Sequence, residues 1–238
     1  MKEERYFYAP DAPKACELPE EEAQHAIRVL RLKEGAEIFL MDGRGTYYRA
    51  EITLCTNHQC QYRILETLPQ SKPWRGHLTI AVAPTKMMER VEWFVEKATE
   101  IGIDEIVFLD CRFSERRQVK IPRLEKICIS AVKQSHKAWV PVIRGMVSID
   151  DFIRECTKGV RCIAHCYNEE RHDLFSLLKD NRAADEDITI MIGPEGDFSI
   201  DEVQKAIEQG WVPVSLGASR LRTETAAMVA TEMMQLNN

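Results

Sequence analysis

The stretch Leu216-Gly217-Ala218-Ser219-Arg220-Leu221-Arg222-Thr223-Glu224-Thr225-Ala226-Ala227-Met228 joins a short apolar strand to an Ala- and Met-rich helix. Its loop carries a glycine, two arginines and several hydroxyls. Upstream, Ile192-Gly193-Pro194-Glu195-Gly196-Asp197-Phe198-Ser199 repeats the arrangement: apolar strand, glycine-rich turn, helix start. Polar, glycine-bearing loops at the carboxyl ends of neighbouring strands are where an α/β sheet builds a ligand site.

Working outward, the same alternation of strand and helix extends back to residue 78. Leu78–Ala83, Glu105–Leu109, Val160–Ala164, Ile188–Ile192 and Val212–Leu216 are short, nearly continuous apolar runs, the signature of strands covered on both faces. Between the first two, Lys86–Ile101 places Met87, Val91, Phe94, Val95, Ala98 and Ile101 at helical spacing and stops at Gly102. The expectation is a mostly parallel sheet with helices on both faces. Before residue 70 the rhythm is different. Glu37–Met41 runs into Asp42-Gly43-Arg44-Gly45, a turn signal, and Thr46–Ile52 returns as an alternating strand. Gln61–Leu65 is a further strand. One short helix, Glu20–Leu30, turns Ala23, Ile27 and Leu30 to one side. A small β-barrel over residues 1–70 is expected, with the Pro- and Gly-bearing segment Leu68–Gly76 as linker and a second domain over 71–238.

Composition narrows the class. The 238 residues are 45% hydrophobic and 29% charged, an ordinary globular balance. No apolar run approaches membrane-spanning length, and Met1-Lys2-Glu3-Glu4-Arg5 lacks a signal-peptide core, so a cytoplasmic protein with no membrane partner is expected. The eight cysteines include no C-x-x-C pair and are expected to be reduced. Net charge is −6, yet Arg112–Lys137 holds eight Lys/Arg against only Glu115 and Glu125. Local positive surface, not the average, is what a phosphate feels within a Debye length of ~8 Å. Arg112, Arg116 and Arg117, with a second group at Arg28, Arg31 and Lys33, are candidate RNA contacts; the alternative is a solvated face.

The candidate site residues follow from the two loops. Gly193 and Gly196 allow close backbone approach, Pro194 stiffens the turn, and Ser199 with Glu202 forms a capping-box pattern. Thr223 is expected as the cap of the last helix, with Glu224 in its first turn where the helix dipole favours a carboxylate. Both then have a local structural reason, whereas Arg220 and Arg222 have none. His165 ends the third candidate strand and opens another loop. Cys162, His165, Cys166 and His172 lack a second ligand pair at zinc-finger spacing, and no metal is expected. Lys97 and Glu100, one turn apart, form a surface pair. There is no G-x-G-x-x-G after Leu78–Ala83 and no P-loop, so neither a dinucleotide enzyme nor a P-loop NTPase is indicated.

These motifs resemble a known family. I-G-P-E-G-D-F-S at 192–199 and V-S-L-G-A-S-R-L-R-T-E-T-A-A at 214–227 are similar to the bacterial 16S rRNA uridine-N3-methyltransferases of the RsmE type, in the SPOUT superfamily. K-M-M-E-R-V-E-W-F-V-E-K-A-T-E-I-G-I at 86–103 and A-V-K-Q-S-H-K-A-W-V-P at 131–141 agree. R-Y-F-Y near the start, H-A-I-R-V-L-R-L-K-E-G at 25–35 and the D-G-R-G turn resemble the family's PUA-like N-terminal domain. Asp197 stands where glycine is commoner, and His136-Lys137-Ala138-Trp139 departs from a commoner Gly-Arg sequence.

The resemblance implies a SPOUT-type α/β fold with a C-terminal trefoil knot, a feature base rates would not suggest. It implies S-adenosyl-L-methionine bound by His165, Ile192, Gly193, Glu195, Gly196, Leu216, Gly217, Leu221 and Arg222, in loops after Ala164, Ile192 and Leu216. It further implies a homodimer acting on 16S rRNA or the small ribosomal subunit. Arg220, Arg222 and Glu195 are the expected catalytic side chains. Two other functions compete: a non-catalytic RNA-binding protein, and a knotted methyltransferase with another RNA target, such as tRNA or a ribose hydroxyl.

Overall fold

The structure, a computed structural model, describes residues 5–167, 170–181 and 185–237. The chain forms two compact units: one from the residues up to Pro73 with Val132–Val140, the other from Trp74–Ala131 and from Pro141 onward.

In the first unit, strand β1 (Tyr6–Tyr8) lies parallel to β2 (Glu37–Met41), which pairs antiparallel with β3 (Thr46–Cys55), itself antiparallel to β4 (Cys60–Pro69). The β2–β3 turn forms because the Asp42 carboxylate accepts the N–H groups of Arg44 at 2.8 Å and Thr46 at 3.0 Å. Inward positions Ile38, Leu40, Tyr48, Ala50, Ile52 and Tyr62 enclose Phe7. Helix α1 (Ala12–Ala15) precedes α2 (Glu20–Gln24), which widens into a π turn over His25–Val29. The expected single helix is therefore interrupted. The wider turn resets the buried face, so Ala26 is fully buried while Ile27 and Leu30 are only partly so. His136 has φ +51°, a left-handed conformation that glycine adopts most readily.

The second unit alternates strand and helix: β5 (Leu78–Val82), α3 (Met88–Ile101), β6 (Glu105–Asp110), α4 (Ile121–Ser135), β7 (Val142–Ser148), α5 (Ile149–Glu155), β8 (Val160–Ala164), β9 (His172–Asp173), α6 (Leu174–Asn181), β10 (Ile188–Ile192), α7 (Ile200–Glu208), β11 (Val212–Ser215) and α8 (Thr223–Leu236). The last turn of α4 falls among the first unit's residues. The sheet order is β7-β6-β5-β10-β8-β11-β9, and every pairing in it is parallel, as the apolar strand runs predict. Ala81, Val107, Ile163 and Met191 point to one face, where Phe152, Val203 and Trp211 from around α5 and α7 cover them. On the other face α8 packs against β5, β10 and α3. Helices thus lie on both faces, and β5 and β10 are buried throughout.

Local signals hold at several ends. Gly102 stops α3 at φ +123°, and Ser199 with Glu202 completes the capping box of α7. Two expectations shift. The linker segment begins as strand, because Leu68 and Pro69 still belong to β4. Further along it, Trp74 is buried, and its indole N–H donates to Asp104 at 2.8 Å. Among the described residues no helix is long and apolar enough to cross a membrane.

Candidate active site

Three loops meet at the carboxyl edge of the parallel sheet: those after β8, β10 and β11. They enclose two adjoining spaces that share Ala164, Cys166, Ile192, Leu221 and Ala226. The larger, of about 420 Å³, is fronted by charged groups: Arg90, Glu195, Asp197, Arg220 and Arg222. The smaller, of about 70 Å³, is bounded by His165, Val214, Leu216 and Gly217.

Side chains fix these loops to one another. Asp197 has φ +66°, which aspartate tolerates better than most residues and glycine best of all. Its carboxylate accepts the N–H of Phe198 at 2.8 Å and that of Cys166, in the neighbouring loop, at 2.8 Å. Asp197 thus holds a backbone conformation open to glycine and adds a tie between two cavity loops. Tyr167 donates its hydroxyl hydrogen to the Phe198 carbonyl at 2.5 Å, and Arg171 donates to the His165 carbonyl at 2.5 Å. The Lys86 N–H donates to Glu195 Oε1 at 2.9 Å. Gly217 has φ +115° with no atom within 4 Å of where a Cβ would stand, so its backbone faces open space. That is the form of a cradle for a ligand held by main-chain atoms.

Three sequence expectations change here. Thr223 is not the cap of α8: Arg222 occupies the capping position, and Thr223 is the first helical residue. Its buried hydroxyl instead donates to the Gly193 carbonyl at 3.1 Å, joining helix to loop. Glu224 does lie in the first turn, but it is 92% buried and faces Arg90 Nε at 3.6 Å, so local helix electrostatics do not account for it. Gly196 stands between the cavity residues Glu195 and Asp197, and a Cβ there would meet Phe113 Cβ at 3.1 Å, so it also has a packing reason that the loop sequence does not show.

The remaining candidates divide clearly. Arg220 and Arg222 are exposed at the cavity mouth, with no hydrogen bond or ion pair from either side chain among the described residues. By contrast, Arg116 donates to the carbonyls of Thr85 and Lys86, Arg112 pairs with Asp201, and Arg117 pairs with Asp110. Arg28, Arg31 and Lys33 are exposed in the first unit. Lys97 and Glu100 form the expected surface pair at 2.9 Å. Arg90, which reaches the cavity from α3, went unrecognised in the sequence; its position on one helical face was the only available signal.

The chemistry open to this site is limited by its thiols. Burial pushes the Cys162 thiol up to about 12. Burial, and then the Asp197 carboxylate, push that of Cys166 upward from its ordinary value. Both are protonated near neutral pH, so neither is an activated nucleophile. What the site offers is guanidinium groups, two carboxylates and exposed backbone around a space large enough for a nucleoside-sized ligand.

Residues 72–235 match the model of the RNA methyltransferase domain, and residues 18–65 match the RNA methyltransferase PUA domain. The fold and the cavity are those of an α/β RNA methyltransferase joined to a PUA domain. Solved structures agree: a probable rRNA-methyltransferase from Porphyromonas gingivalis is 45% identical, with a TM-score of 0.89 over 96% of this chain and 95% of its own. A ribosomal RNA small subunit methyltransferase E from Neisseria gonorrhoeae, solved with S-adenosyl methionine bound, is 26% identical, with a TM-score of 0.84 over 98% of both chains. The protein of that name from Rickettsia conorii is 31% identical over 92% of this chain and 89% of its own length. The chain belongs to the ribosomal RNA small subunit methyltransferase E family.

Proposed function

We propose that this protein transfers a methyl group from S-adenosylmethionine to N3 of a uridine in 16S ribosomal RNA, as a cytoplasmic homodimer with a trefoil knot near its C-terminus. The observation that carries this reading is the meeting of three strand-end loops around one cavity, with Arg220 and Arg222 exposed at its mouth. The relatives' names support a small-subunit rRNA target, and the Neisseria structure supports the donor. The residues present suit that donor: exposed backbone at Gly217, a narrow space beside Leu216 for a flat ring, and a wider charged space next to it.

When bound, S-adenosylmethionine supplies a methyl group activated by its sulfonium. His165, Ile192, Gly193, Leu216, Gly217 and Leu221 hold its adenosyl part, and Gly196 lets Phe113 pack beneath the loop. The uracil N3 edge is hidden in a base pair, so the target must be unpaired or flipped, at an unstacking cost of about a few kcal/mol. N3 must lose its proton as it gains the methyl carbon. Arg220 and Arg222 stabilise the negative charge that develops on the uracil oxygens, as an oxyanion hole does. Glu195, with Oε1 held by the Lys86 N–H, accepts the proton directly or through water. Arg28, Arg31 and Lys33 bind phosphates from the first unit. Arg112 and Arg117 add to this from the second, since exposed ion pairs with Asp201 and Asp110 are readily exchanged.

The test is nucleoside mass spectrometry of purified 16S rRNA and small subunits after incubation with the protein and S-adenosylmethionine. 3-Methyluridine in the rRNA is expected. Methylation confined to a ribose hydroxyl or to tRNA, or RNA binding with no methylation, would overturn the assignment.

A further inference from the structure

Three guanidinium groups front the larger space, and they are not alike. Arg220 and Arg222 extend from the β11–α8 loop without a side-chain partner among the described residues. Arg90 comes from α3, is one-third exposed, and has the Glu224 carboxylate behind it, with Nε 3.6 Å from Oε1. Glu224 Oε2 is fully buried and has no hydrogen-bond partner among the described residues. A buried carboxylate oxygen left unsatisfied is costly, and each one in a native fold calls for an explanation, a role at a site among them. The N-terminal dipole of α8 tolerates the charge but does not explain why it faces an arginine on another helix.

The geometry points to a division of labour, resting on the donor assignment above: Arg90, positioned by Glu224, binds the carboxylate of the donor's amino-acid end. The narrow space beside Leu216 and Gly217 suits the adenine ring, which leaves the methionyl end for the charged space. That end carries one carboxylate and one ammonium, and the space is lined by a cation from α3 and by the acidic Asp197 and Glu195. Pairing through Nε leaves the terminal fork of Arg90 for two parallel hydrogen bonds to a carboxylate. Pairing also offsets the arginine's charge. That makes Arg90 a poor stabiliser of charge that appears only during transfer, and a good holder of a group already charged in the ground state. Glu224 acts through Arg90 and is a positioning residue.

Calorimetry on the full chain with two ligands tests this: S-adenosylhomocysteine, and 5′-methylthioadenosine, which lacks the amino-acid end. In Arg90→Ala, affinity for S-adenosylhomocysteine should fall at least about tenfold (~1.4 kcal/mol) while that for 5′-methylthioadenosine is unchanged. Glu224→Gln should give a smaller loss with the same selectivity, and Arg90→Lys, which keeps charge and stem, should lie between wild type and Arg90→Ala. Equal losses for both ligands would mean a merely structural role and overturn the proposal. So would an unchanged ratio, including the case in which only the methyl-transfer rate falls. If the wild-type protein bound neither ligand, the donor assignment itself would fail, a result distinct from either of these. Should Arg90→Ala not fold, the Arg90→Lys and Glu224→Gln ratios decide the matter in the same way.

Discussion

The two ends of the parallel sheet carry similar side chains and treat them oppositely. At the amino end, His77, Glu105, Arg144 and Glu155 close on one another: His77 lies 3.5 Å from Glu105, and Arg144 lies 2.8 Å from Glu155. Asp104 there accepts the Trp74 indole N–H and the Leu78 N–H, each at 2.8 Å. At the carboxyl end, Arg220 and Arg222 stand at the cavity mouth without such partners among the described residues. The difference teaches where the molecule keeps its charges for itself and where it leaves them for a ligand, in line with the general rule for open α/β sheets.

Mutations at the two ends should therefore separate activity from stability. The largest effect expected is at the open end: Arg220→Ala should slow methyl transfer about 100-fold or more (~2.7 kcal/mol) while leaving the urea midpoint unchanged. Single-turnover kinetics beside equilibrium unfolding check both halves, and an intact rate would break the contrast. Next, Asp104→Ala at the closed end should destabilise the fold by about 1–3 kcal/mol, because it strips partners from buried donors. Binding of S-adenosylhomocysteine to the folded fraction should not change. The smallest effect concerns pH. Hydrogen bonding to Glu105 raises the His77 pKa against the opposing effect of burial, with Asp104 and Asp187 adding to the rise. A raised pKa stabilises the fold fully below the unfolded-state value of about 6.5, and the benefit is lost as pH rises through the folded value. His77→Gln should thus be less stable than wild type at pH 5.5 and equal to it at pH 8.5. The half-exposed ring limits the difference to less than about 1 kcal/mol.

The open end was largely visible in the primary structure, since it is made of strand termini and the glycine loops that follow them. Periodicity placed β5, β6, β8, β10, β11 and α3 closely. It missed β7, whose mixed residues around Arg144 and Gly145 lack the apolar run of a central strand, and β9, which has only two residues. It also misjudged what depends on distant segments. Glu224 had a sufficient local reason at a helix start, and only tertiary burial against Arg90 shows that reason to be incomplete. The basic stretch from Arg112 reads as an open face, yet Asp110, Asp201 and two backbone carbonyls occupy its guanidinium groups. Thr223 illustrates the finest scale: a helix beginning one residue earlier turned a cap into a cross-link.

That cross-link has a structural consequence. The Thr223 hydroxyl, bonded to the Gly193 carbonyl, anchors the first turn of the C-terminal helix directly to the turn beyond β10. Both partners line the larger space, so the start of α8 is seated on the cavity rim itself and not merely on the sheet behind it.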